Sequence, residues 1–406
     1  MLKRTFLGLC ALLAVAPRVG AEELVLSGAT LIDGSGGPPR RNAVVRVVDG
    51  RIREVGLAVA GPGAGCIDLS GRYLLPGLID AHAHIESPAA ARRALLSGVT
   101  TARILGDTYL QGLGTRDLVK GGFTPGPELV VSGGHVRPTL GEAFFVTFPQ
   151  FGRFLEGRLS GPENVAAVVR ALIAKGVDVI KVGASERAGL ATTDPRRPEL
   201  SYEELRAAVE EARQAGLFVA AHAHARRGAN DAVRAGVRSI EHGTYLDDET
   251  LALMKERGTF FVPTLAIMSP LGDPHGDDAN SIALQVRTHH MQGVVRDAVK
   301  RARALGIPIA AATDGSYGDG EDSARVRVAD DIEALIGAGL TPMEAIVAAT
   351  RTGARLLGID SRTGRVAVGL EADLLVVDRD PLTDPTTLFE PMLVVNDGKV
   401  VLNRLD

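Results

Sequence analysis

Through the middle of the chain, short runs of branched apolar residues alternate with stretches in which apolar residues recur every three to four positions. Val165, Val168, Val169, Leu172 and Ile173 follow that helical spacing behind Asn164 and before Gly176, which predicts a helix capped by Asn164. Residues 177–182 follow as a strand, apolar except for Asp178 and Lys181. Ser201 with Glu204 spells a capping box, opening a helix through Leu205, Ala208, Val209 and Ala212 that Gly216 closes. Strands at 217–221, 237–240, 260–262 and 307–312 are expected to alternate with helices at 229–235, 249–257 and 282–305. Strands this apolar are buried on both faces, as in a parallel sheet covered by helices. The class is α/β, and eight such units over residues 76–360 fit a (β/α)8 TIM barrel.

The two ends read differently. Residues 24–26, 43–48 and 51–55 are β-branched runs, the last two separated by the hairpin signal Asp49-Gly50. Residues 372–378 and 392–402 repeat that texture, with a second turn at Asn396-Asp397-Gly398. Neither end has enough strands to stand alone, so residues 22–75 and 361–406 are expected to combine into one small composite β-sandwich domain. Residues 1–21 read as a signal peptide: Lys3 and Arg4, an apolar stretch from Phe6 to Ala16, then Val19-Gly20-Ala21 before Glu22. Export to the periplasm or medium is the expectation. Cleavage would remove Cys10 and leave Cys66 alone, so no intrachain disulfide is expected.

Composition narrows the partners. A net charge of −4 in 406 residues is no footprint for nucleic acid, and 4% aromatics without Trp provide no base-stacking platform. The apolar stretch near the start is too short for a membrane span. The expected partner is a small-molecule or dipeptide substrate, with a homo-oligomer as the assembly.

Chemistry collects at the C-terminal ends of the apolar runs, the ends that share one face in a parallel barrel. His82 and His84 are two apart on an extended segment and leave the same side of it, which suits a divalent metal such as Zn²⁺. Lys181 ends the next such run of note. As an ammonium it cannot ligate, but carboxylated by CO₂ it becomes a carbamate able to bridge two cations. Burial beside cations would favour loss of its charge. His222 and His242 end two successive runs and supply imidazoles to a second metal. Asp314, after Ala311-Ala312-Thr313, supplies a carboxylate that can touch a metal and accept a proton from water.

These residues sit in a wider set: residues 75–84 (Leu-Pro-Gly-Leu-Ile-Asp-Ala-His-Ala-His), Gly98-Val99-Thr100-Thr101, His222-Ala223-His224, residues 239–243 (Ser-Ile-Glu-His-Gly), Thr313-Asp314-Gly315 and residues 369–374 (Gly-Leu-Glu-Ala-Asp-Leu). Together they resemble the amidohydrolase superfamily, most closely its imidazolonepropionase-like branch of Xaa-Pro and Xaa-Arg/Lys dipeptidases and ochratoxin-type amidases. The resemblance implies two divalent ions with carboxylated Lys181 between them. His82, His84 and Asp314 would hold the more buried ion, and His222 and His242 the other. It also implies that His135, in Ser132-Gly133-Gly134-His135, polarises the scissile carbonyl as a substrate-binding and catalytic residue. His224 stands where the branch often carries a substrate-contacting Tyr. Lys181 argues against the mononuclear deaminases.

The implied reaction is hydrolysis of an amide or peptide bond in a small carboxylate-bearing substrate. Asp314 takes the water's proton and returns it to the leaving amine. Cyclic-amide, lactone or aryl-amide hydrolysis by the same residues is the alternative. Arg137, Arg187, Arg226 and Arg227 lie near the motifs and are candidates for a substrate carboxylate. Five of the eleven Phe fall between Glu142 and Phe154, as a pocket wall, a lid or an oligomer contact.

Overall fold

Strands from both ends of the chain share one sheet. The structure is a computed structural model that describes residues 23–57, 66–268, 279–318 and 326–405. The expected signal peptide, 1–21, lies outside the described residues. The hydrogen-bonded order is Lys399–Asn403, Leu393–Asn396, Leu374–Val377, Tyr73–Pro76, Glu23–Leu31, Arg40–Val48 and Arg51–Leu57, with Cys66–Asp68 beside Glu23–Leu31. The seam between the ends is antiparallel, Leu375 facing Leu75. Both predicted hairpins form, because Asp49 (φ 52°) with Gly50 (φ 74°) and Asp397 (φ 53°) with Gly398 (φ 79°) take the left-handed turn. Leu26, Val45, Ile52, Leu74, Leu374 and Val395 bury one face as a separate small core. Apart from Cys66–Asp68, which branches off Glu23–Leu31, these strands follow a single path of pairing, and two facing sandwich layers are not distinguished among the described residues.

The middle of the chain is α/β with two parallel sheets. One runs Phe260–Val262, Ser239–His242, Phe218–Ala223, Val179–Gly183, His135–Val136, and the other Leu78–Ala83, Val99–Ile104, Glu128–Val131. Asp178 donates its N–H to the Val131 carbonyl at 2.8 Å, joining the two on one side. On the other side, residues 307–315 bridge them: Ala310 donates to Phe261 at 2.9 Å, and Asp314 to His82 at 2.7 Å.

The expected strand at 307–312 is not regular; it makes only isolated bridges, Phe261 with Ile309 and Ala83 with Gly315. Other acceptors take its amides. Ala312 N–H goes to Asp331 at 2.9 Å, Thr313 N–H to Asp80 at 3.0 Å and Ala311 N–H to the Ala348 carbonyl at 3.2 Å.

Most helices lie where the periodicity places them, and the Ser201–Glu204 capping box makes both of its bonds. The helix Pro162–Ala174 corrects one expectation. Its N-cap is Gly161 (φ 86°), with Pro162 opening the helix. Asn164 lies inside the first turn, its amide donating back to the Ser160 carbonyl at 2.7 Å.

Gly77 shows how two sequence motifs lock together. A Cβ there would lie 2.3 Å from Thr100 Oγ1 and 2.4 Å from its Cγ2, so the strand carrying His82 packs on the next with no spare room. Gly77→Ala is expected to destabilise the protein by about 1–3 kcal/mol. Urea denaturation of the single variant and of Gly77→Ala with Thr100→Ala checks this: the second change should restore part of the loss.

Candidate active site

Six of the nine histidines meet at one end of the parallel strands. His82 and His84 come from the strand Leu78–Ala83 and its exit, His222 and His224 from Phe218–Ala223 and its exit, His242 from Ser239–His242, and His135 from His135–Val136. Asp314 Oδ1 lies 2.9 Å from His84 Nε2 and 3.2 Å from His82 Nε2. Lys181 Nζ is 3.5 Å from His82 Nε2. The ligating atoms of His82, His242 and Asp314 lie within 4.8 Å of one another, and so do those of His222, His224 and His242. Every metal-ligand and catalytic candidate from the sequence thus lines one cavity, including His135, whose ring is 5.9 Å from that of His222. His224 is packed among the imidazoles.

Behind the inward-facing atoms stands a second layer of hydrogen bonds. Glu241 Oε2 is 3.0 Å from His82 Nδ1, Thr264 Oγ1 is 2.8 Å from His242 Nδ1, and Thr244 Oγ1 is 2.9 Å from His224 Nδ1. Each bond fixes a ring and leaves its Nε2 toward the cluster. His222 is held the other way, Nε2 lying 3.3 Å from the Glu186 carbonyl, so its Nδ1 is the free atom.

Arg103 donates to Glu241 Oε1 at 2.9 Å, to Ser239 Oγ at 3.2 Å and to the Ala81 carbonyl at 2.6 Å. Asp80 accepts from Thr313 Oγ1 at 2.6 Å and from the Tyr317 hydroxyl at 2.8 Å, clamping the segment that carries Asp314. The supporting roles of Arg103, Glu241, Asp80, Thr244 and Thr264 were not evident from the sequence. One signal was available for the first three: a charge within a run buried on both faces needs a partner.

Burial sets the charges. It takes the His82 imidazole, with Lys181 beside it, down to about 4 and His242 to about 3. His135, His222 and His224 are likewise held well below the ordinary imidazole range by burial. These rings are neutral near pH 7, each with a lone pair to give. Burial also lowers the Lys181 ammonium to about 8. For Asp314 burial acts to raise the carboxyl, but His82, His84 and His242 outweigh it and keep the group ionised. A neutral-nitrogen set with an ionised carboxylate fits a divalent cation.

The cluster forms the floor of a cavity of about 430 Å³, walled by Glu86, Leu105, Arg187, Ile267 and Met268 among others. A smaller cavity of about 160 Å³ shares Gly106, Thr108, His135 and Arg187 with it. Phe144 and Phe148 line the smaller one, their rings 4.7 Å apart, so part of the Phe-rich segment is a pocket wall. His135 Nε2 is buried and has no partner among the described residues.

This fold and cluster belong to a known class of hydrolase. Residues 73–401 match the model of the amidohydrolase family, and the chain belongs to that family, whose members hydrolyse C–N bonds. The chain is similar to ochratoxinase from Aspergillus niger, 28% identical over 95% of this chain and 88% of that protein. The crystal structure of A. niger ochratoxinase superposes with a TM-score of 0.80 at 26% identity, covering 94% of this chain and 96% of that one. A crystal structure of a Xaa-Pro dipeptidase with bound methionine in its active site gives a TM-score of 0.84 at 26% identity, covering 94% and 100%. An imidazolonepropionase from Chromobacterium violaceum is 27% identical over 77% of this chain and 78% of its own length.

Removing Glu241 should expose how the floor is held. Glu241→Ala leaves the Arg103 guanidinium buried without its carboxylate, a loss expected at about 3–5 kcal/mol. Urea denaturation of chelator-treated protein measures it apart from any metal contribution. A loss below about 1 kcal/mol would show that the pair is not what holds the floor.

Proposed function

We propose that this chain is an exported, binuclear metal-dependent amidohydrolase that cleaves the amide or peptide bond of a small substrate bearing a free carboxylate. The observation that carries the proposal is the convergence of His82, His84, Lys181, His222, His242 and Asp314 on the floor of one cavity. In this reading residues 76–360 close as a (β/α)8 barrel, residues 22–75 and 361–406 form the β-sandwich domain, and residues 1–21 direct export to the periplasm or medium.

His82, His84 and Asp314 would hold one ion and His222 and His242 the other, with Lys181, carboxylated by CO₂, between them. Two zinc ions bound there would supply Lewis acidity and a water acidified enough to act as nucleophile near neutral pH. Asp314 Oδ1 is placed to hold that water's proton and pass it to the leaving amine. His135 faces the cavity with Nε2 unpartnered, and in the tautomer carrying hydrogen there it donates to the scissile carbonyl oxygen.

Carboxylate recognition falls to Arg187. Of the four candidate arginines, Arg137 pairs with Glu199 at 2.6 Å, Arg226 with Asp247 at 3.5 Å and Arg227 with Asp231 at 3.7 Å. The Arg187 side chain makes no hydrogen bond or ion pair among the described residues, lines both cavities and is exposed to an incoming substrate. Arg187→Ala should raise KM about tenfold or more for dipeptides, and leave the turnover of their C-terminally amidated analogues unchanged. Equal losses on both substrate types would remove Arg187 from carboxylate binding.

The reading as a whole is tested by metal content on protein purified without chelator, beside a dipeptide panel with C-terminal Pro, Arg, Lys, Phe and Leu. About two metals per chain with a clear C-terminal preference is the expected result. Asp314→Asn should abolish turnover and largely spare metal content; wild-type kcat in that variant would overturn the proton-transfer role. Two metals without peptide turnover would move the substrate to cyclic amides, lactones or aryl amides. No metal, even after Zn²⁺ and bicarbonate, would overturn the reading.

A further inference from the structure

Two opposite charges line the main cavity without meeting. Glu86 and Arg187 both face it, and among the described residues neither side chain is in an ion pair. Along the strands Leu78–Ala83, Val99–Ile104, Glu128–Val131, His135–Val136 and Val179–Gly183, Glu86 follows the first and Arg187 the last, with His135 between them. Glu86 is half-buried. Its Oε1 accepts the Thr108 N–H at 3.2 Å, which steadies the carboxylate and leaves Oε2 without a hydrogen bond among the described residues. It belongs to neither donor group of the floor. Asp107, next to Thr108 and 7% exposed, adds to the acidity of that flank: its Oδ2 accepts the Gly112 N–H at 2.7 Å, and its Oδ1 is buried without a partner among the described residues.

An ionised carboxylate only accepts, so one left open on a cavity wall is matched by a donor that carries positive charge. Arg187 is matched by an anion. Held apart on one wall, the two select a ligand that bears both charges with the reactive carbonyl between them. A dipeptide has that pattern. One carbon separates its α-ammonium from the scissile carbonyl, and one carbon separates the amide nitrogen from its carboxylate. In a longer peptide the ammonium moves away by up to about 3.3–3.6 Å per residue. An N-acyl amino acid, an aryl amide or a cyclic amide offers Glu86 no α-ammonium at all. We propose, resting on the amidohydrolase reading above, that Glu86 binds the substrate's α-ammonium, which makes the substrate a dipeptide with a free amino terminus. Glu86 then fixes the amino end of the substrate as Arg187 fixes its carboxyl end, and His135 serves the carbonyl between.

The test compares an alanyl dipeptide with the propionyl derivative of the same C-terminal amino acid, in which hydrogen replaces the ammonium. Wild-type protein should show a kcat/KM about 10–100-fold higher for the dipeptide. In Glu86→Gln, which keeps an oxygen for the Thr108 N–H, that ratio should fall about tenfold or more, with metal content as in wild type. Glu86→Asp, which keeps the charge and draws it back, should lie between the two; it covers the case in which Glu86→Gln fails to fold.

A wild-type ratio near one or below it would overturn the inference and leave the amidohydrolase reading standing. An unchanged ratio in the folded variants would overturn it equally. So would a loss confined to substrates with C-terminal Lys or Arg, which would place a side-chain cation, not the α-ammonium, on Glu86. Turnover of neither compound by metal-replete protein would overturn the inference together with the peptide substrate on which it rests.

Discussion

The centre of the molecule depends on one buried ion pair, Arg103 with Glu241. Both side chains are almost wholly removed from water, at 3% and 0% exposure. Burial acts to raise the Glu241 carboxyl, yet the guanidinium beside it and His82 hold it ionised. The desolvation of two charges is offset only because nearly every polar atom is used: Arg103 also reaches Ser239 and the Ala81 carbonyl, and Glu241 also binds His82 Nδ1. One pair thus ties three strands, Leu78–Ala83, Val99–Ile104 and Ser239–His242, across the interior. It also fixes the His82 ring, and through the backbone it sets where His242 leaves its strand.

Strain accompanies this order. His242 (φ 69°), Thr264 (φ 50°) and Asp314 (φ 53°) all hold left-handed backbone that side-chain-bearing residues rarely adopt, at about 1–3 kcal/mol each. All three stand where an inner strand or segment turns outward, and all three belong to the donor cluster or its anchors. The turn aims the side chain back over the strand ends rather than along the loop. The surrounding bonds that compel it are on hand: Thr264 to His242, and Asp80 with Thr313 and Tyr317 around Asp314.

Much of this was legible in the sequence, for a physical reason. A strand buried on both faces is nearly all apolar, so a His, Lys or Asp at its end stands out, and His82, His84, Lys181, His222, His242 and Asp314 are found that way. The hairpins at Asp49-Gly50 and Asn396-Asp397-Gly398 were equally plain, since few other residues accept that turn. What was hidden depends on pairing at long range. Nothing local says that Arg103 will meet Glu241, or that Arg137 will be taken by Glu199 while Arg187 stays unpaired. The segment 307–312 has the composition of a strand, but Asp331 and the Ala348 carbonyl draw away its amides from elsewhere in the chain. Asn164 has the chemistry of a cap, yet the Gly161-Pro162 step two residues earlier starts the helix first.

In the proposed reading, chemistry and recognition are built differently. The donor cluster rides on strand ends fixed by ladders and by the buried pair, so its geometry belongs to the framework. Arg187 rides instead on the irregular segment 184–200, where side chains do the holding. Arg287, from the helix Ala279–Leu305, donates to the carbonyls of Ala188 at 2.8 Å, Leu190 at 2.7 Å and Thr193 at 2.7 Å. Glu186 accepts the Asp194 N–H at 2.7 Å, and Glu199 N–H returns to the Ala184 carbonyl at 3.1 Å. The segment begins three residues after Lys181 and is pinned well enough to keep Arg187 over the cavity. Its sequence can nevertheless change without moving a strand. In the proposed reading, substitutions in 184–200 would exchange one substrate for another around an unaltered set of donors.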